Sequence, residues 1–591
     1  MIGDSPIVDF QSEIIQCPVL IIGAGAAGAR AAISLQSNGI EPLVVSKRDH
    51  GDAHTIWARG GINASLGNIE PDDSWEVHAA DTIEEGHEIN DPTAVEIVAK
   101  NMPERIKELD EWGMQFTRTS DELINQRFFG AQSFPRTCFA GDHTGESLLN
   151  TLVAKAQDLE IPYQDNVMIT RLLTDGTRVY GAVGFDMETG SFMTFIAEFV
   201  VLAAGGNTSI YETHSSRDDE NTADGAGLAY LAGAQLMDME FIQFHPTGMV
   251  GYGDTWDGRL VTEAVRGDGG YLLNSDNERF MFEYSSLDRP ELAARDVVAR
   301  AITAEVDAGR GTENDGVYLD ISHKNAEYIK TRLPRMYERF QSLGLDITNE
   351  PMEVAPTAHY SMGGVDFNPT TGETSIEKLH VIGESTAGVH GANRLGGNSL
   401  AETVAIGEIV GECISNHRPS TPDDLPPESV IEQAVTEFNR LTTATNTSGQ
   451  HSINDIITEL RSVVETYAGI ERSEQTLKTG IEQLFSIKQK VSNVELPDDR
   501  STEEFEFYIN AEFMLIAAES VIRGSLKRAE SRGAHYRSDV PQKQSEFRCN
   551  ILYTQHSDES MGLETRTVPD IQPEVTDAIE TEYEVQYHHL E

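Results

Sequence analysis

Four cysteines in 591 residues, Cys17, Cys138, Cys413 and Cys549, lie far apart. No pair has the spacing of metal ligands, so the chain reads as lacking a zinc site or an iron–sulfur cluster of its own. The thiols read as reduced and mostly buried. Basic residues are scarce too: Lys and Arg number 44 against 97 Asp and Glu, a net charge of −53. Nothing basic offsets phosphate repulsion, which argues against nucleic acid as a partner. The acid is spread along the chain rather than gathered in a tail. Such a surface suits high salt, where screening tames self-repulsion, and the expected source is a halophile. No apolar run approaches the roughly 20 residues of a membrane span. Residues 1–16 carry acids and no basic stretch, so no signal peptide is expected. The length allows two or three domains with a sizeable core.

What is present begins near the N-terminus. Cys17–Ile22 reads as a buried strand, Gly23-Ala-Gly25-Ala-Ala-Gly28 as a turn, Ala29–Gln36 as a helix and Pro42–Ser46 as a second strand. This is the dinucleotide fingerprint in its required context. The first glycine makes the turn, the second lets backbone approach a pyrophosphate, and the third lets helix pack on strand. The acid that usually binds ribose after the second strand is replaced by Ser46-Lys47-Arg48, which favours FAD over NAD and leaves a basic pair able to face phosphate. His54 precedes Gly60-Gly61, where a flavin ring would lie, and imidazole is nucleophilic enough to bond to an activated flavin methyl group.

A second stretch organises the rest. Leu379–Ile382 reads as a strand, Gly383–Asn398 as a loop of mostly small residues, and Ser399-x-x-Glu402 as a capping box opening a helix. Such a helix start offers N–H groups and positive potential to an electron-rich ligand. Asp224 opens another helix, either as its cap or as a holder of a ribityl or ribose hydroxyl. Between 241 and 354 polar motifs cluster in an inserted segment that reads as a cap: Phe244–Gly248, Val261–Gly270 and a helix start at Glu291–Arg300. Pro419–Pro427 is a linker, residues 428–527 show helical periodicity, and the final 41 residues, with ten acids and one arginine, show little. The expected fold is α/β: a Rossmann-type FAD-binding domain (15–240 plus 355–416) with an inserted α+β capping domain (241–354). A helical domain (428–528) and a small C-terminal domain (529–591) follow.

In order, GAGAAG, HTxxxxGG, RxFGxQ, QFHPTG, TExxRGxGG, ARD, HYSMGG, HGANRLGGNSLAE and SRGAH make the chain similar to the flavoprotein subunits of succinate dehydrogenase and fumarate reductase. These belong to the FAD-dependent oxidoreductase 2 family, and with this charge a haloarchaeal member is expected. The resemblance covers residues 17–415 strongly and 500–555 moderately. It implies interconversion of succinate and fumarate by hydride transfer, with FAD bound covalently through His54. Electrons would pass to an iron–sulfur subunit and through it to a membrane anchor, placing a cytoplasmic chain on the inner face of the membrane. Gly23, Gly25 and Gly28 would hold the pyrophosphate, with Asp224, Glu384, Ser399 and Leu400 as further FAD contacts. His245, Thr262, His359 and Arg394 would grip the dicarboxylate, with Phe129 over it. Arg295 would exchange the proton, relayed by Glu263 and Arg266; the rival role for Arg295 is a helix-start ion pair with Asp296 or Glu291. No metal is implied.

Two features depart from the family pattern. Arg59 stands where the family has glutamine or glutamate near the flavin edge, and about five extra residues fall within Val250–Arg259. L-aspartate oxidase is the nearest alternative; its family lacks the covalent histidine and has cysteine where this chain has Met362. A free-standing soluble fumarate reductase is another. A non-catalytic flavin-binding protein is disfavoured by the intact His245, Glu263, Arg266, Arg295, His359 and Arg394.

Overall fold

The computed structural model describes residues 14–253, 255–442, 452–492, 494, 501–581 and 583. β-Branched and aliphatic runs build a seven-stranded sheet. Ile14–Ile22 lies parallel between Pro42–Val45 and Phe192–Leu202. Phe192–Leu202 is long enough to change neighbours half-way along. Its first half pairs antiparallel with Val179–Asp186, and its end pairs parallel with Leu379–Val381. The parallel register sets Val45, Ile22, Leu202 and Val381 side by side. The chain leaves all four strands at that end, where open α/β sheets bind ligands.

The fingerprint glycines have separate causes. Gly23 has φ +115°, and a Cβ there would sit 2.2 Å from the Ala203 carbonyl oxygen; one on Gly28 would sit 2.0 Å from the Gly23 carbonyl oxygen. At Gly25 the nearest atom would be Thr55 Oγ1 at 3.4 Å. Packing therefore dictates Gly23 and Gly28, whereas Gly25 borders open space.

The inserted segment forms a four-stranded antiparallel sheet in the order Ile242–Met249, Met352–Ser361, Val317–Asp320, Tyr271–Leu273. Its own core includes Leu272, Ile302, Leu319, Met336 and Phe340. Met352–Ser361 runs straight through position 354/355, so the cap and the FAD-binding unit share a strand. Helices Ile453–Ala468, Glu474–Ser492 and Thr502–Lys527 pack together, and the last starts at a true capping box, Ser501 with Glu504. Phe505 of that helix meets Phe185 of the central sheet.

The C-terminal segment is more ordered than its weak periodicity implied. Cys549–Gln555 and Met561–Thr567 form a hairpin that completes a sheet with Leu236–Met237 and Gly364–Val365. The outer strand is mostly exposed, so its sequence shows no apolar alternation. Helix Pro573–Ile579 rests on Trp75–Glu85 through Val575 and Ala578. Acids at 582, 584 and 591 lie outside the described residues. No described helix is long and apolar enough to cross a membrane, and the four cysteines are free, three of them buried.

Arg528, fully buried, ties these parts together. Its Nε donates to Glu240 Oε1 at 2.6 Å, and Nη2 and Nη1 reach Asp238 and Glu530 at 3.4 Å. Tyr553 of the hairpin donates to Glu240 Oε2 at 2.6 Å. Arg528→Met should strand these carboxylates and cost about 3–5 kcal/mol. Urea unfolding checks this; an unchanged midpoint would show the network to be dispensable.

Candidate active site

A cleft at the strand ends runs from Gly23 past His54 to His245 and Arg394, enclosing about 1780 Å³ of free space with its mouth included. Two helix N-termini open onto it: Ala26–Ser37 behind Gly25, and Asn398–Asn416 behind Gly397. Neither has a side-chain cap, so N–H groups of their first turns are left for a ligand, apart from those of Ala26, which Thr55 Oγ1 accepts at 3.1 Å, and Asn398, which the Leu395 carbonyl accepts at 3.1 Å.

The expected capping box at Ser399 is not formed. Gly397, at φ +90°, is the cap and Ser399 lies inside the first turn. Glu402 turns inward instead, accepting from Thr386 Oγ1 at 2.5 Å and Tyr360 OH at 3.0 Å, with His390 Nε2 at 2.8 Å. Three buried partners outcompete one backbone N–H. The basic pair is likewise redirected. Lys47 binds Asp224 at 2.8 Å and Arg48 pairs with Asp219, so neither cation stands free for phosphate. Asp224 is the first helical residue rather than the cap, which is Ala223.

The far end of the cleft is cationic. Arg295 begins the cap helix Arg295–Glu305. Its Nε and Nη2 donate to Glu263 Oε2 at 2.9 and 2.7 Å, and Nη1 donates to Gln243 Oε1 at 2.9 Å. The rival pairing does not occur: Asp296 binds Arg300 and Glu291 binds Arg279. Arg266 stands behind, 3.6 Å from Glu263 Oε2, with Nη1 donating to the Glu291 carbonyl at 2.6 Å. Burial pushes the Glu263 carboxyl up, but Arg295 and Arg266 outweigh it and hold it at about 2. Arg394, on the loop opposite, lies over the Tyr360 ring and reaches Ser399 Oγ at 3.3 Å. Burial, then repulsion from Arg295, lowers it to about 9.

His245 and His359 meet edge to face, centroids 5.4 Å apart. Burial and then the nearby arginines hold both well below the usual imidazole range, so both are neutral at pH 7. His245 Nδ1 accepts the Thr247 N–H at 3.2 Å, which leaves Nε2–H as a donor; His359 Nδ1 is 2.9 Å from Ser215 Oγ. Phe129 is buried against Gly60 and Gly396, where a Cβ would come within 2.8 and 3.1 Å of its ring. Thr262, Glu384 and Leu400 line the same cleft, with Glu384 Oε1 accepting the Ser361 N–H at 3.1 Å.

Two predicted residues do not line it. Gly28 is packed beneath Gly23 and Arg266 is screened by Glu263. Gln243 and Tyr360 were overlooked although they stand inside the QFHPTG and HYSMGG motifs. Gln243 Nε2 donates to Asn393 Oδ1 and the Arg394 carbonyl, joining the cap arginine to the loop arginine. Ser215 carried no sequence signal.

Comparison with known proteins matches this layout. A model described as FAD binding domain covers residues 18–400, and one described as fumarate reductase flavoprotein C-term covers 457–580. One component of the fumarate reductase (CoM/CoB) of Methanothermobacter marburgensis is 42% identical over 92% of this chain and 98% of its own length. The succinate dehydrogenase flavoprotein subunit of Rickettsia bellii is 34% identical over 89% and 90%. Among solved structures, E. coli quinol fumarate reductase FrdA superposes with TM-score 0.88 at 32% identity, covering 94% of this chain and 97% of that one. Mycobacterium smegmatis Sdh1 gives 0.83 at 37%, covering 96% and 97%.

The chain belongs to the succinate dehydrogenase/fumarate reductase flavoprotein family. It is an FAD-dependent oxidoreductase. The residues fit that cofactor: two uncapped helix starts face the cleft, Gly25 leaves room before the first, and Asp224 and Glu384 supply acceptors for hydroxyl and N–H groups.

The depressed Glu263 carboxyl sets a pH signature for this flavoprotein. Its folded pKa lies below the ordinary value of 4.5, so its stabilisation is fully present above about pH 4.5 and fades as pH falls toward 2. The stability lost in Glu263→Gln should be about 3 kcal/mol above pH 5 and vanish near pH 2. Urea titrations across that range test this, and a pH-independent difference contradicts it.

Proposed function

We propose that the chain is the flavoprotein subunit of a succinate dehydrogenase/fumarate reductase, interconverting the two dicarboxylates. One observation carries the reading. In a chain of charge −53, two buried guanidiniums, of Arg295 and Arg394, and two neutral imidazoles line the cleft beside the proposed cofactor contacts, with Arg266 behind Glu263. Such a cluster of donors and positive charge suits a dicarboxylate.

Arg394 offers a planar fork to one carboxylate, while His245, His359 and Thr262 supply donors for the other contacts. FAD, when bound, supplies the hydride chemistry. Arg295 borders the cleft and also bonds Glu263, so it is placed to hand a proton to a substrate carbon and recover one through Glu263 and Arg266. Phe129 closes the cleft over the substrate and keeps water out. Gly23, Gly25, Asp224, Glu384, Ser399 and Leu400 hold the cofactor, and His54 is its covalent attachment point. Scattered cysteines give no ligands for a cluster, so electrons leave through an iron–sulfur subunit that docks the chain on a membrane anchor at the inner face of the cell membrane. The relatives' names cover both reaction directions.

Arg295→Ala and Arg295→Lys should keep their flavin and lose succinate–fumarate turnover by about 10²–10⁴-fold. Substantial rate in the alanine variant would sink the assignment. The same assay with succinate and a dye, set against aspartate and oxygen, separates this activity from that of an aspartate oxidase. On acid precipitation the yellow colour should stay with the pellet; release of all the flavin would refute attachment at His54.

A further inference from the structure

Glu220 is buried on the loop between the strand Phe192–Leu202 and the helix Asp224–Leu231. Its Oε1 is held by Arg217, which also donates to Asp52 at 2.8 Å, and its backbone carbonyl accepts the Ser209 hydroxyl. Its Oε2 has no hydrogen-bond partner and lies 3.5 Å from His54 Nδ1, itself buried and unpartnered. Two orphaned buried atoms thus face one another, about 0.5 Å beyond a good N–H···O bond. Burial lowers the His54 pKa, but Glu220 more than offsets this and the net shift is upward; Glu220 itself is held low, against burial, by His54 and Arg217. The nitrogen that donates to a carboxylate gives up its lone pair, and the other ring nitrogen keeps one.

We propose that Glu220 is the positioning residue for flavin attachment: it holds His54 as the Nδ1–H tautomer, leaving Nε2 as the nucleophile, and takes the Nδ1 proton as the bond forms. This rests on the reading of His54 as the attachment point. The balance closes within the proposed chemistry. A bond forms between Nε2 and the flavin methyl carbon, and one C–H and the Nδ1–H bond break. The two electrons pass by way of the flavin to fumarate, which with two protons becomes succinate. Arg259, placed over the Trp57 ring at 5.1 Å and close enough to repel charge on His54, favours departure of the proton. None of the family's sequence motifs includes Glu220. Its role follows from the facing atoms alone.

The test uses the full chain produced without flavin, then supplied with FAD and fumarate, with acid-stable flavin followed by fluorescence of the denatured protein. The wild type should attach its flavin fully and His54→Ala not at all. Glu220→Gln should reach half its maximal attachment rate at an unchanged FAD concentration, while that maximal rate falls at least about tenfold. A merely structural defect would move FAD binding instead. Arg217→Gln keeps the carboxylate but frees it, and should slow attachment in the same sense by a smaller factor; it decides the matter if Glu220→Gln does not fold. A wild-type rate in Glu220→Gln, or in Arg217→Gln when that variant must decide, overturns the role of Glu220 and leaves His54 as the attachment point. A wild type that releases all its flavin in acid overturns both.

Discussion

Three guanidiniums, of Arg266, Arg295 and Arg394, share one buried region with Glu263, and the rest of the site depends on how that charge is held. Burying a cation is costly unless it is paired and hydrogen-bonded. Arg295 meets the condition, with three donors engaged by Glu263 and Gln243. Arg266 and Arg394 meet it only in part, since Nε of each and Nη2 of Arg266 make no hydrogen bond, the latter lying 3.6 Å from Glu263 Oε2. The aromatic face of Tyr360 and the lone pairs of Ser399 and the Glu291 carbonyl hold what remains. Such an arrangement gives up folding stability for a standing attraction to a small anion.

Keeping those charges apart in sequence and together in space explains the architecture. The cap supplies His245, Thr262, Glu263, Arg266 and Arg295, while the glycine-rich loop supplies Arg394. The strand Met352–Ser361, common to both units, supplies His359 and Tyr360 at the junction. Gln243 spans the remaining gap, with its oxygen on the cap arginine and its nitrogen on the loop. A single amide therefore fixes Arg295 relative to Arg394. Loss of either bond would leave both arginines in place but out of register, which matters because small misplacement of reacting groups costs large factors in rate.

What the sequence made legible follows from the same physics. Backbone-imposed features could be read directly: Gly23 and Gly28 are dictated by contacts at 2.2 and 2.0 Å within a short motif, and the flanking strands by continuous apolar runs. The residues grouped at the cationic end of the cleft were legible only as motifs in order, because nothing local says that His245 and His359 touch. Side-chain partnerships across the fold were misread. Ser399 and Glu402 have the spacing of a capping box, yet Tyr360, Thr386 and His390 claim the carboxylate. Lys47 and Arg48 line the cleft as the basic pair was read to do, but their partners Asp224 and Asp219, more than 170 positions away, were not legible. The C-terminal hairpin was hidden because its outer strand is mostly exposed, and Glu220 because a lone acid in an acidic chain carries no signal.

Arg59 and the segment Val250–Arg259, far apart in sequence, are spatially linked. Arg59 and Arg259, the latter at the end of the Val250–Arg259 segment, both stack on Trp57, at 5.9 and 5.1 Å from its ring. That indole belongs to the same turn as His54. Burial lowers the pKa of both arginines, with Asp142 partly compensating for Arg59 and Glu220 for Arg259. Each still adds positive potential on the His54 side of the cleft, remote in sequence from Arg295 and Arg394. Arg259 opposes an imidazolium at His54 while Glu220 outweighs it, so the state of that histidine is set by the balance of the two.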